Sequence, residues 1–391
     1  MSTDSLFLEV DCAQRRKDGE HICGDTFHSM KLTAEDRVIA ALSDGLGSGV
    51  KASILSSMTA TMALRFAAAN RDLRRASEII MDALPVCAVR RIRYATLTII
   101  DAVLHGPTRL LEQGNPRAIL LRGGEAVDFE RTRVHVESAL DRTIFMGTFR
   151  SEPEDRLIVY SDGVSQAGLG GGIWKLGWRP EGCAACARDL VCANPDISAR
   201  DLAHTIVEEA VRKEPGACAK DDISCAVFYF RTPRRLLLVT GPAFDPTHDR
   251  EVAERLEHFP GRRVVAGGTT ANIIARELRR EVTMDLAGPF GGLPPVSVMR
   301  GADLVTEGIL TLTQTAQMLE RGGPFGRDAA GRLAELLINS DRIDFLVGTR
   351  INEAHQDPTL PVDLEIRRNI IRRIADTLAT RYLKETAVQF I

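Results

Sequence analysis

Four short segments of this chain repeat one arrangement, an aspartate at the end of an apolar run or at the start of a turn. Asp25 lies in GDTF (24–27). Asp44 lies in Ser43–Asp44–Gly45, just after RVIAAL (Arg37–Leu42). Asp162 lies in Ser161–Asp162–Gly163, after RLIVY (Arg156–Tyr160). Asp221 and Asp222 directly precede ISCAVFYF (Ile223–Phe230). Apolar and β-branched runs of this length, bounded by turn residues, read as strands. The fold must therefore set several carboxylates at strand ends. A single Asp–Gly pair is an ordinary turn, but four such segments suit a particular chemistry. Hard divalent cations such as Mg²⁺ and Mn²⁺ take oxygen ligands in octahedral geometry. Two of them roughly 3.5–4 Å apart share a carboxylate and activate a water for in-line attack on phosphorus. A glycine after the aspartate lets a backbone carbonyl approach an ion unobstructed.

The runs YATLTIID (Tyr94–Asp101), RLLEQ (Arg109–Gln113) and AILLR (Ala118–Arg122) add strands. Helical blocks are expected over Val50–Ala69, Leu73–Leu84 and Ala199–Arg212. The block from Val50 is apolar on nearly every side, with Ile54, Leu55, Met58, Met62, Leu64 and Phe66, which predicts a buried helix. This order predicts an α/β sandwich of mainly antiparallel strands with helices outside. At 391 residues the chain exceeds what one compact core normally uses. The stretch RTPRR (231–235) reads as a linker, dividing the chain into residues 1–231 and 232–391. Beyond it, strands Leu236–Thr240, Arg263–Ala266, Ile343–Val347 and Ala387–Ile391 alternate with helices. The helices are expected over His248–His258, Thr270–Arg280, Leu304–Glu320, Arg327–Ser340 and Leu364–Leu378. Alternation of this kind predicts a doubly wound, mostly parallel sheet, so the fold class is α/β throughout.

In their order and spacing, GDTF, SDGLGSGVKAS, SDGV and DDIS resemble the type 2C metal-dependent protein phosphatase family, in its bacterial stage II sporulation protein E-like branch. SDGLGSG followed by a long apolar helix is the most specific element. The stretch YATLTIIDAVLHGPTRLLEQGNPRAILLR resembles the same branch, with its two-stranded meander and Gly114–Asn115–Pro116 turn. The similarity spans roughly residues 5–230. It implies two Mn²⁺ or Mg²⁺ ions, with Asp44 bridging them and Asp162 and Asp222 completing the shell of the first. It also implies that the Gly45 carbonyl and Asp25 serve the second ion, with Asp221 just outside the ligand set. The catalytic residues implied are Asp44, Asp162 and Asp222. The implied reaction is hydrolysis of phosphoserine or phosphothreonine by a metal-bridging hydroxide, with no phosphoenzyme, in bacterial signalling. The implied substrate is a phosphoprotein such as an anti-sigma-factor antagonist-like protein. Animal-type members hold phosphate with an arginine near the N-terminus; Arg15, Arg16 and Lys17 are near that place, none singled out. Two other readings stand beside this one: a degenerate regulator that acts by protein binding, and a bifunctional chain whose second domain handles a nucleotide-like metabolite.

In the second domain, Gly267, Gly268, Thr269 and Thr270 lie between a strand and a helix, where glycines and a helix N-terminus would admit a small anionic ligand. The plainer reading is helix capping. Asp303 and Glu307 near a helix start suit its dipole, and His355 carries no assigned role. Cys183, Cys186 and Cys192, with Cys218, are read as reduced thiols before a zinc or iron–sulfur site. Gly168–Gly172 reads as a solvated loop before a mobile flap. Net charge is −3, with Lys and Arg spread along the chain, so nothing points to nucleic acid. No apolar run approaches the roughly 18 residues of a bilayer span, and the N-terminus lacks a signal-peptide pattern. A cytoplasmic protein without membrane attachment is expected.

Overall fold

The computed structural model describes residues 6–69, 73, 75, 79–80, 95–135, 143–171, 174–285, 292–350 and 360–391. Most of the expected Leu73–Leu84 helix, together with Gly172 and His355, lies outside them. The chain forms two compact units, Met1–Thr232 and Pro233–Ile391.

The first unit is built on two antiparallel sheets. One has the order β1 (Phe7–Arg15), β11 (Ile223–Arg231), β10 (Arg156–Tyr160), β6 (Ile119–Arg122), β7 (Glu125–Val127). The other runs β2 (Asp25–Leu32), β3 (Arg37–Asp44), β4 (Leu97–Val103), β5 (Pro107–Gln113), β9 (Thr143–Arg150), β8 (Glu130–His135). Strand β11 is buried along its whole length, as a β-branched and aromatic run at the centre of a sandwich should be. Its Phe228 and Phe230 pack edge-on against Phe27 and Phe149 of the other sheet, at 6.3 and 6.4 Å between ring centroids. Each such side chain contributes roughly 1.5–3 kcal/mol by burial.

Helix α1 (Gly49–Ala69) packs on β2 and β3, and α3 (Ala199–Lys213) on β1 and β11. Between them in sequence comes α2 (Arg179–Ala193), in the cysteine-containing segment that reads as partly helical in sequence. Helix α1 corrects one expectation. It is not buried all round: Val50, Ile54 and Met58 are more than half exposed. Its buried face is made mainly of small residues, Ala52, Ser56, Thr59, Ala60, Ala63 and Ala67, joined by Leu64. Small side chains let the helix lie close to the sheet, while Val50, Ile54 and Met58 project elsewhere. Across this sheet the guanidinium of Arg37 is buried against Asp101 at 2.6 Å and donates to the Ala67 carbonyl at 2.8 Å, tying the end of α1 to β3 and β4.

The second unit carries a seven-stranded mixed sheet, in the order β14 (Val282–Met284), β15 (Ser297–Met299), β16 (Leu304–Thr306), β13 (Arg262–Ala266), β12 (Arg235–Thr240), β17 (Arg342–Val347), β18 (Glu385–Phe390). The five strands from β16 to β18 are parallel, and β15 and β14 extend the sheet antiparallel at one edge. Leu237, Val239, Val265 and Leu346 share a core with α4 (Asp249–Glu257) and α5 (Gly268–Leu278). Leu236, Leu238, Val264 and Phe345 share another with α6 (Ile309–Arg321), α7 (Ala329–Ile338) and α8 (Leu360–Arg381). Apolar residues on both faces of the same strands make the sheet doubly wound. The expected helix Leu304–Glu320 is corrected: Leu304–Thr306 is strand β16, and the helix begins at Ile309. Three consecutive β-favouring residues were absorbed into a helical pattern that starts only after Gly308.

Candidate functional site

The register of β2 and β3 sets Asp25 directly opposite Asp44 at the end of the hairpin pair. Asp162 arrives from the end of β10, opening a one-turn helix. Its neighbour Ser161 is bound to β11 twice, its N–H donating to the Ser224 carbonyl and its Oγ accepting from the Ser224 N–H, both at 3.0 Å. Two glycines decide how closely the segments meet. A Cβ on Gly163 would lie 2.1 Å from the Asp222 carbonyl oxygen, and one on Gly45 would lie 2.2 Å from the Ala52 carbonyl oxygen of α1. Only a residue without a side chain admits either contact.

The result is a cluster of carboxyl groups. Asp25 and Asp44 are within hydrogen-bonding reach of each other, as are Asp44 and Asp162. Burial, first, and then the charges of Asp222 and Asp162 raise the Asp25 carboxyl to about 7, against the hydrogen bonds from Ser224 and Ser161. Burial, then Asp25, Asp162 and Asp221, raises Asp44 to about 9. Asp162 is raised by burial and by Asp221, and Asp221 chiefly by burial. Burial leads for Asp25, Asp44 and Asp162, followed by serine hydrogen bonds and neighbouring carboxylates, with no lysine or arginine among the leading influences.

Several polar residues hold these groups in place. Ser224 Oγ donates to Asp25 Oδ2 at 2.7 Å and accepts from Gln14 Nε2 at 3.0 Å. Thr96 Oγ1 accepts the Asp44 N–H at 3.0 Å, and Asn115 in turn accepts from Thr96 Oγ1 and donates to Thr98. Gln166 Nε2 donates to Asp162 Oδ2 at 2.8 Å. Asp222 receives the N–H groups of Lys17 at 3.0 Å and Gly24 at 2.9 Å, one on each oxygen. Ser161 and Ser224 lie inside the motifs SDGV and DDIS. Gln14 and Thr96 had no signal in one sequence, because their roles depend on which distant segments meet, and Gln166 sits one turn after Asp162 outside the motif.

Among the described residues, no three His, Cys, Asp or Glu side chains already stand as a ready-made metal cage. Asp162 is turned toward Gln166, and Asp222 toward backbone amides. The donor set nonetheless fits a pair of hard cations. It is all oxygen, acidic and crowded, and Asp25 Oδ1 is buried with no hydrogen-bond partner. Buried carboxylates need a positive partner or a proton.

The family model described as stage II sporulation protein E (SpoIIE) matches residues 34–231, half of the chain. The chain belongs to the SpoIIE family. Its first unit is accordingly a protein serine/threonine phosphatase domain of the 2C type. Among solved structures, the SpoIIE phosphatase domain from Bacillus subtilis is 18% identical, with a TM-score of 0.44 over 59% of this chain and 94% of that one. The RsbU and RsbW domains of a Mycobacterium tuberculosis protein are 19% identical, with a TM-score of 0.46 over 64% and 68%. RsbX in complex with magnesium is 19% identical, with a TM-score of 0.40 over 57% and 95%. No curated protein matches the chain.

The other expected site residues fall on other elements. Gly267–Thr270 form the N-terminal turn of α5, where the Gly267 N–H is bonded to the Thr306 carbonyl and Gly268 borders open space. Cys183, Cys186 and Cys192 all lie on α2, with Cys183 in the hydrophobic core, while Cys218 is exposed in the loop before β11. Glu307 caps α6 through the Leu310 N–H, and Asp303 accepts from Arg262 and the Arg263 N–H. No described helix is long and apolar enough to cross a membrane.

Proposed function

We propose that this SpoIIE-family protein hydrolyses phosphoserine and phosphothreonine on a protein substrate with two Mn²⁺ or Mg²⁺ ions held by Asp25, Asp44, the Gly45 carbonyl, Asp162 and Asp222. The observation that carries this reading is the meeting of Asp25, Asp44 and Asp162 from three separate strand ends, with a buried, unpartnered oxygen on Asp25. The ions, when bound, supply an activated water and neutralise charge on the phosphate.

The chain's own residues do the rest. Ser224 and Ser161 orient Asp25 by hydrogen bonds to its carboxylate. Thr96, fixed by Asn115, sets the backbone of Asp44. Asp222 anchors the loop before β2 through Lys17 and Gly24, and Asp221 adds negative charge beside the cluster. The phosphoryl group enters a site whose positive charge comes from the ions, so no side-chain nucleophile is needed.

Hydrolysis of p-nitrophenyl phosphate and of a phosphoserine peptide should require Mn²⁺, stop with EDTA and vanish in Asp44→Asn. Full activity in that variant would reject the site. A signalling role with a small anti-sigma-factor antagonist-like substrate belongs to the same proposal. Capture of a phosphoprotein on the Asp44→Asn variant, followed by its dephosphorylation by the intact protein, would test it.

A further inference from the structure

The parallel part of the second unit has the spatial order β16-β13-β12-β17-β18, which in chain order reads third, second, first, fourth, fifth. Connections therefore reverse direction between β12 and β17. In open α/β sheets, ligands bind outside the carboxyl ends of the strands at such a reversal. A cavity of about 310 Å³ lies beside this reversal, between α4, the loop after β12 and the ends of β17 and β18. Its apolar walls are Val252 of α4, Leu346 at the end of β17, Ile391, and Phe244 from the loop after β12. The loop is pinned in place, since the Phe244 and Thr349 N–H groups both donate to the Ile391 carbonyl, at 3.3 and 2.8 Å.

We infer that this cavity binds an unphosphorylated nucleoside, independently of the phosphatase site. Three observations select that class. Phe244 is 74% exposed on the cavity wall, a phenyl face left open where a planar base stacks. The rim carries the carboxylates of Asp245 and Glu251 and the imidazole of His248 beside Arg255, so carboxylates outnumber the guanidinium and a phosphate is disfavoured. Glu251 stands exposed in the first turn of α4, where its carboxylate can accept hydrogen bonds from ribose hydroxyls. Finally, Arg255 Nη1 donates to Gln389 Oε1 at 2.6 Å. That bond turns the Gln389 amide so that Nε2 is left to meet an acceptor on a base edge. The volume is at the small end of the range of about 300–1,000 Å³ for ligand pockets, enough for one base and sugar and too little for a dinucleotide.

The test is calorimetric titration of the full chain with adenosine, guanosine and their 5′-monophosphates at millimolar concentration. At least one nucleoside should bind one-to-one, and its monophosphate at least tenfold more weakly. Phe244→Ala and Glu251→Gln, both at exposed side chains, should each weaken nucleoside binding at least tenfold. Gly268→Val should leave it unchanged. Lack of binding by either nucleoside, or binding that survives Phe244→Ala, overturns the inference. So does tighter monophosphate binding that is lost in Gly268→Val, which would move the ligand to the glycine loop. Phosphatase activity is not read in any arm, so failure of one proposal does not decide the other.

Discussion

Gly163→Ala isolates the contact that brings two of the acidic segments together. The added methyl carbon would sit 2.1 Å from the Asp222 carbonyl oxygen and 3.0 Å from its carbon. Ordinary contact begins near 3.4 Å, so the turn after Asp162 and the start of β11 must separate by more than 1 Å. Neither side yields cheaply, because the obstacle is backbone and Ser161 is bonded to Ser224 two residues away on each segment. Overpacking of this kind costs about 1–3 kcal/mol in folding stability, occasionally more. A shift of about 1 Å in a catalytic group costs on the order of 100-fold in rate. Urea unfolding and Mn²⁺-dependent hydrolysis should therefore both register the change, activity more severely. Gly268→Ala is the control, since its methyl would meet nothing within 4 Å; it should stay within about 0.5 kcal/mol. Gly163→Ala with wild-type stability and activity would refute the view that this glycine sets the spacing of Asp162 and Asp222.

Ser224→Ala removes the donor to Asp25 Oδ2 and should weaken Mn²⁺ binding about 10–100-fold by calorimetry, as loss of a ligand's supporting hydrogen bond usually does. Asp101→Leu leaves the Arg37 guanidinium buried without its carboxylate and should cost about 3–5 kcal/mol in urea unfolding, with much of the loss recovered in Arg37→Leu/Asp101→Leu. In EDTA the protein should lose stability as pH rises from about 4 to 9. Asp25 and Asp44 have folded pKa values of about 7 and about 9, above the roughly 3.9 of an unfolded aspartate, so the folded state binds more protons across that window. Saturating Mn²⁺ should flatten the slope, which denaturation at pH 5.5 and 8.5 would show.

The strands that carry the acidic motifs were legible because each is a compact apolar run ending in a turn residue. Arg156–Tyr160 is observed with those bounds, and Ile223–Phe230 extends by one residue. Strands β1 and β2 were not legible. Both mix polar with apolar residues and are only partly buried along much of their length, and β2 is recognisable only once Asp25 is known to pair with Asp44. Most of the buried face of α1 was not legible because, apart from Leu64, it is made of small and hydroxyl residues, which a pattern of large apolar side chains does not mark. The doubly wound sheet was visible in the alternation of its elements, but the chain reversal that places the Phe244 cavity depends on strand order, which no single segment encodes. Within the site, the acids could be read from motif spacing. The hydrogen bonds of Gln14 and Thr96 could not, because their partners, 210 and 52 residues away, meet only after folding.

Asp222 has a part in the fold that needs no metal. By accepting the amides of Lys17 and Gly24 it fastens the loop before β2 to the last strand of the first unit. A descendant of this chain that abandoned catalysis could discard Asp44 with little harm to its architecture, whereas dropping Asp222 would unfasten that loop. Among relatives drifting toward inactivity, an aspartate surviving at this position alone is a record of folding and not of retained enzyme activity.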